Sequence, residues 1–276
     1  MKIGCGTVLW RCFPLERALE AMRNIGFEYF ETQAVGAWCP HVNVERDDPE
    51  VLVRLKNKYG FKGITGLWSR GGNIISNPRA VELGIRSVQW AAAAGIPVLH
   101  TGDGHKPKEL SEEDAFKVLE DKLSPILAEA QKCGVTVAIE PHGTFSLTLE
   151  GLQRILSLGT PDVLGINYDG CNIRRAGYVE SGNTSSGWQS GEQGSDELAV
   201  LQKITDRVVH VHIKDINSAS QCVAAGDGIV NIRGCVEHLK TVGYDGVLSL
   251  ETEGDEDFDR VVALARKSFD YMQTLL

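Results

Sequence analysis

The chain has 276 residues, 42% hydrophobic and 24% charged, with a net charge of −9, the make-up of an ordinary globular protein long enough for one large domain. It has no run of Lys and Arg of the kind that tracks a phosphate backbone, and no window near the roughly 18 apolar residues of a membrane span, so neither nucleic acid nor a bilayer is an expected partner. The opening "MKIGCGTVLW" lacks a signal-peptide core, and seven cysteines without a CxxC pair read as reduced thiols rather than as disulfides or a zinc ribbon, so a cytoplasmic protein is expected.

Short β-like runs alternate with longer helical patterns throughout. "KIGCGTVLW" (2–10) precedes "PLERALEAMRNIG" (14–26), where Leu15, Leu19, Met22 and Ile25 fall at helical spacing. "EYFETQAV" leads to "DPEVLVRLKNKYG", and "FKGITGLW" to "NPRAVELGIRSVQWAAAAG". "IPVLHTGDG" precedes a long helix over 111–134, opened by a Ser111–Asp114 capping box and closed by Gly134. The last four pairs begin with "VTVAIEPH", "VLGINYDG", "VVHVHIKDI" and "GVLSLETEG". Strict alternation calls for parallel strands joined by helical crossovers, and eight pairs are the number that closes a single (β/α)8 barrel over residues 1–276. An open doubly wound sheet is the alternative, but no glycine fingerprint follows the first strand. The one long irregular segment, 170–195, follows strand six on the side where barrels build active sites; its Gly and Ser content suggests a lid carrying Tyr178 and Trp188.

Buried parallel strands should be apolar on both faces, so polar residues at their C-terminal ends stand out. Alternation turns Val135, Val137 and Ile139 outward and leaves Glu140 and His142 inward. The same rule turns Asn167 and Asp169, His212 and Lys214, and Ser249 and Glu251 inward on the next three strands. Three carboxylates aimed at one another repel unless one is protonated or a cation joins them. Glu140, Asp169, His212 and Glu251 form an oxygen-rich set with one nitrogen. That set suits Mn²⁺ or a similar octahedral ion, with Mg²⁺, Co²⁺ and Zn²⁺ the other divalent options.

Other polar residues carry competing readings. His210 lies one layer deeper than His212 and reads as a hydrogen-bonded core histidine. Lys214 is either a solvated rim lysine or a clamp on a substrate oxygen, and His142 is open in the same way. Trp10 and Trp68 end strands one and three, where they can wall a sugar site, with core capping the alternative. His100, Asp103 and His105 in "LHTGDGH" read as a hydrogen-bonded loop rather than a second metal site. Arg174 and Arg175 read as exposed, although in a closing lid an Arg can hold a carboxylate or phosphate.

At "AIEPH", "NYDG", "HVHIKD" and "LSLETEG" the chain resembles, segment by segment, the sugar phosphate isomerase/epimerase family built on the xylose-isomerase-like TIM barrel. The resemblance implies a metal held by Glu140, Asp169, His212 and Glu251, with Glu140 and Glu251 flanking a sugar or keto-sugar. Isomerases and 3-epimerases of this kind move a proton next to a carbonyl through an enediolate, one glutamate removing it and the other returning it. Inosose dehydratase-like members expel a hydroxyl instead, which makes a lyase the alternative. Asn172 stands where the epimerases and the endonuclease IV branch carry a histidine, and is the substrate-contacting residue expected there. "AGDGIV" after strand seven lacks the nuclease's Asp-x-His pair, which with the acidic charge argues against a nuclease. A non-catalytic sugar-binding barrel would have lost a ligand, and none of the four is lost. A homo-oligomer is compatible with all of these readings.

Overall fold

Strands with an apolar outer face need a helical coat, and the chain supplies it by alternation. The computed structural model describes residues 1–175, 194–254 and 256–276. The strands β1 (Lys2–Gly6), β2 (Tyr29–Gln33), β3 (Gly63–Trp68), β4 (Val98–Thr101), β5 (Thr136–Ile139), β6 (Leu164–Asp169) and β7 (Val208–Ile213) pair in parallel with their neighbours. After β7 comes a two-stranded antiparallel hairpin, β8 (Asp215–Ile216) with β9 (Cys222–Val223). Then β10 (Val247–Leu250) joins β7 to β1 and closes the barrel. This is the closed (β/α)8 barrel expected from the strand–helix alternation.

Around it run α1 (Leu15–Ile25), α2 (Pro49–Lys58), α3 (Ala80–Ala93), α4 (Glu112–Cys133), α5 (Leu149–Leu156), the short α6 (Gly170–Arg174), α7 (Glu197–Ile204), α8 (Ile232–Thr241) and α9 (Phe258–Leu275). The α4 boundaries follow their caps: Ser111 Oγ accepts from the Asp114 N–H at 3.1 Å, and Gly134 ends the helix at φ 67°. Val137, Leu164, Ile166, Val211 and Leu248 are all buried in the layer between strands and helices. Among the described residues no helix is long and apolar enough to cross a membrane.

Inside, the barrel is polar rather than aliphatic. Glu31, Thr65, His100, Asn167, His210, His212 and Ser249 are all buried there. Gly66 makes room for one of them, since a Cβ at that position would lie 2.4 Å from Cε1 of His100. A polar interior is stable to the extent that its members satisfy one another. Asn167 and His212 do so by the hydrogen bonds described below, while Ser249 Oγ, His100 Nε2 and Glu31 Oε2 have no hydrogen-bond partner among the described residues.

Strand ends differ from the sequence expectation in one place that matters. β1 stops at Gly6, and a 3-10 turn, Thr7–Trp10, carries Trp10 into the core against Phe258, ring centroids 5.8 Å apart. The expected lid falls mainly on 176–193, outside the described residues, with Tyr178 and Trp188; what is described of 170–195 is α6, Arg175 and the return at Gly194, whose N–H donates to the Arg174 carbonyl.

Candidate metal centre

Register sets the height of each inward side chain. Asp169 is opposite His212 and His212 opposite Ser249 in the parallel ladder. Glu140 and Glu251 lie one residue beyond β5 and β10. Their N–H groups still donate into the ladder, to the Thr101 carbonyl at 2.9 Å and the Ile213 carbonyl at 3.0 Å. One ligand atom from each of Glu140, Asp169, His212 and Glu251 falls within 4.8 Å of all the others, and all four side chains are buried.

This donor set fits a hard divalent cation. The Lys214 ammonium already sits among the carboxylates, 2.5 Å from Glu251 Oε2, 3.5 Å from Asp169 Oδ2 and 3.9 Å from Glu253 Oε1. Asp169 Oδ2 is buried and accepts no hydrogen bond. Buried carboxylates clustered round one cation, with a free lone pair aimed at it, are what an oxygen-preferring ion requires.

Electrostatics separate the two glutamates. Burial raises the Glu140 pKa, and the neighbouring His212 only partly offsets this. Burial also opposes ionisation of Glu251, but the Lys214 and His212 charges and the hydrogen bonds from Lys214 and Gln33 outweigh it and bring it to about 2. Neutral amides orient both: Asn172 Nδ2 donates to Glu140 Oε1 at 2.9 Å, and Gln33 Nε2 to Glu251 Oε1 at 3.2 Å.

Above the cluster lies a cavity of about 230 Å³ lined by Glu140, Glu251, Glu253 and Lys214, by the rings of Trp38, Trp68 and His142, and by Gln33 and Asn73. The His142 imidazole is 5.8 Å from the Trp68 ring, and burial followed by the Lys214 charge lowers its pKa to about 4. A larger cavity, about 700 Å³, opens at the opposite end, near Lys2, Gly63 and Val247, on the barrel face where active sites are not built.

Not every residue singled out from the sequence reaches this cavity. Trp10 does not, for the reason given with β1. Arg174 turns away to the buried Glu197 carboxylate, with Nη1 3.1 Å from Oε2. Asn172 braces Glu140 and is not among the cavity-lining residues. Asp103 accepts from the Phe145 and Ser146 N–H groups at 2.6 and 3.3 Å and from Ser146 Oγ at 2.5 Å. It belongs to a hydrogen-bonded loop. His100 leaves that loop and joins Glu31, His210 and His212 on the barrel axis.

Glu31 and Gln33 on β2, Glu253 and Asn73 in loops, and Trp38 at the end of the 3-10 turn Gly36–Trp38 were not anticipated. The β2 pair was readable by the alternation rule applied to strands five to eight, since "YFETQ" places Glu31 and Gln33 on the face opposite Phe30. Glu253 carried the same signal, two residues beyond Glu251 as His142 is beyond Glu140, whereas Trp38 and Asn73 carried none.

A family model described as xylose isomerase-like TIM barrel matches residues 19–275. The chain belongs to that family. Among relatives of this xylose isomerase-like barrel, an uncharacterized protein of Methanocaldococcus jannaschii is 28% identical over 273 residues, covering 93% of this chain and 85% of the relative. The inosose dehydratase of Geobacillus thermodenitrificans is 25% identical over 185 residues, 60% of this chain and 56% of that enzyme, so the match spans little more than half of it. The solved structure of a D-tagatose 3-epimerase-like protein superposes with a TM-score of 0.77 at 20% identity, covering 100% of this chain and 98% of the other, a likeness of fold.

Proposed function

We propose that this barrel is a divalent-metal-dependent sugar isomerase or epimerase that moves a proton on a carbon next to a carbonyl, with Glu140 and Glu251 as the acid/base pair. The observation that carries the reading is the convergence of Glu140, Asp169, His212 and Glu251 within 4.8 Å beneath a cavity of about 230 Å³. Those four residues would hold the ion, Mn²⁺ by the hardness of the donors. When bound, the ion would supply Lewis acidity worth several kcal/mol to the charge that develops on the substrate oxygens.

The remaining chemistry belongs to the side chains. Asn172 and Gln33 each fix one carboxylate oxygen with an uncharged amide, so Glu140 and Glu251 are oriented while one of them accepts the carbon-bound proton and the other returns it. A positioned carboxylate typically contributes about 10²–10⁴-fold. His142 and Trp68 offer an imidazole and an aromatic face to a polyol, and Asn73 and Gln33 offer amides. Lys214 is the one cationic side chain lining the cavity among the described residues, and it is held by carboxylates. The undescribed 176–193 contains no Lys, Arg or His. Among the described residues lining the cavity, none is a cation left over for a phosphate, which favours an unphosphorylated sugar or keto-sugar.

A second reading, dehydration of a keto-sugar or keto-cyclitol, is supported by the inosose dehydratase relative. The same proton abstraction then expels a hydroxyl. Ketoses, inososes and keto-glycosides incubated in D₂O with Mn²⁺ test both readings. Carbon-bound deuterium with the skeleton intact supports isomerisation, and loss of water supports the lyase. Glu251→Gln should keep the fold and abolish exchange; full exchange in that variant removes Glu251 from the chemistry.

A further inference from the structure

The two ring nitrogens of His212 face different carboxylates. Nδ1 is 3.3 Å from Glu140 Oε2, on the side of the proposed ligand set, and Nε2 is 2.8 Å from Glu31 Oε1. Glu31 comes from β2, is 1% exposed, and lines no part of the cavity. A ligating imidazole coordinates through an unprotonated nitrogen and needs an acceptor for the proton on the other.

Distances separate the two roles. At 3.3 Å, the Nδ1–Glu140 Oε2 separation is longer than a good N–H···O bond. The Nδ1–Glu140 separation fits co-ligands of a shared ion. The Nε2–Glu31 separation, half an ångström shorter, fits a hydrogen bond. Asn167 Nδ2 also approaches Nε2, at 3.1 Å, but its two protons have other acceptors in Glu140 Oε2 and His100 Nδ1, both at 3.3 Å. The charged oxygen at 2.8 Å is the better partner for His212. Behind Glu31, His210 Nε2 lies 3.3 Å from Oε2, an oxygen that accepts no hydrogen bond from the described residues, and His210 Nδ1 lies 3.0 Å from Asn167 Oδ1.

We propose that Glu31 is a positioning residue of the metal centre: its carboxylate accepts the Nε2–H of His212, fixing the tautomer and the ring angle so that Nδ1 is presented to the ion. The inference rests on the metal-site reading above and adds a residue that never touches ion or substrate.

The test measures Mn²⁺ affinity and stoichiometry of the full chain, wild type and Glu31→Gln, together with ¹⁵N NMR of the His212 ring in protein loaded with diamagnetic Mg²⁺ or Zn²⁺. One ion per wild-type chain is expected, bound about 10–100-fold more weakly in Glu31→Gln, with the wild-type His212 protonated at Nε2. Unchanged affinity in a folded Glu31→Gln overturns the proposal while leaving the metal site standing. A wild-type His212 protonated at Nδ1 in the loaded protein overturns it without any variant, so a Glu31→Gln that fails to fold does not shelter it. A second ion lost on changing Glu31, His100 or His210 overturns it too, since Glu31 would then be a ligand. If wild type binds no divalent ion, the metal-site reading fails, and this inference fails with it.

Discussion

Lys214→Met exchanges a buried ammonium for an apolar side chain of similar length. Its side chain is 4% exposed and faces Glu251 at 2.5 Å, Asp169 at 3.5 Å and Glu253 at 3.9 Å. Removing one partner of a buried charge pair costs about 3–5 kcal/mol, because the remaining charge is left without compensation. At about 2–4 °C per kcal/mol for a chain of this size, the unfolding midpoint should fall by roughly 6–20 °C in the presence of a chelator. A divalent ion supplies the missing charge, and at a thousand times its Kd it adds about 4.1 kcal/mol to whatever state binds it. The variant should therefore recover most of its loss in saturating Mn²⁺. The pH dependence has a definite sign. Without Lys214, the strongest influence that lowers it is gone, and the folded pKa of Glu251 rises from about 2. The destabilisation relative to wild type should then be full above the variant's folded value and fade as pH falls from there toward about 2. Thermal unfolding of both proteins in chelator and in Mn²⁺ checks this. Equal losses in the two conditions, or no loss in chelator, would refute the idea that Lys214 and a metal share one electrostatic role.

Three other outcomes follow from particular contacts. Gly66→Ala places a methyl 2.4 Å from the His100 ring in the closed interior and should cost about 1–3 kcal/mol by overpacking; undiminished stability in urea would mean His100 is not where it is described. Arg174→Ala should cost about 1.5–3 kcal/mol through the loss of its charged hydrogen bonds to buried Glu197, with KM unchanged, whereas a raised KM at unchanged stability would return Arg174 to the substrate. For His212, burial lowers the pKa, but the Glu31 and Glu140 carboxylates outweigh it and hold the metal-free imidazole well above the ordinary 6.5. That charge contributes stability below about 6.5 and loses it as pH rises through the folded value. Because a bound ion must displace the proton, Mn²⁺ should raise the unfolding midpoint more at about pH 8 than at about pH 5.5, and equal increments would contradict the assignment.

The barrel and four inward side chains were legible because both depend on short-range periodicity. Alternation within "VTVAIEPH" or "GVLSLETEG" assigns each residue to a face without knowledge of the neighbouring strand. What failed was local backbone at a strand end: no pattern in "KIGCGTVLW" marks the chain turning after Gly6, and that turn takes Trp10 into the core. Arg174 was misplaced for a related reason, because its partner Glu197 lies across a long insertion whose path the sequence does not specify.

Strand–helix order, the apolar outer faces and the set of acidic residues at the barrel mouth belong to the sequence itself, since each follows from spacing along the chain. Which amide braces which carboxylate, and which nitrogen of His212 turns toward Glu31, belong to the closed barrel alone. Gln33 reaches Glu251 across 218 positions of sequence, and only the curvature and register that bring β2 round to β10 make that contact. Pairings of this kind depend on distance through space, and periodicity along a strand records no such distance.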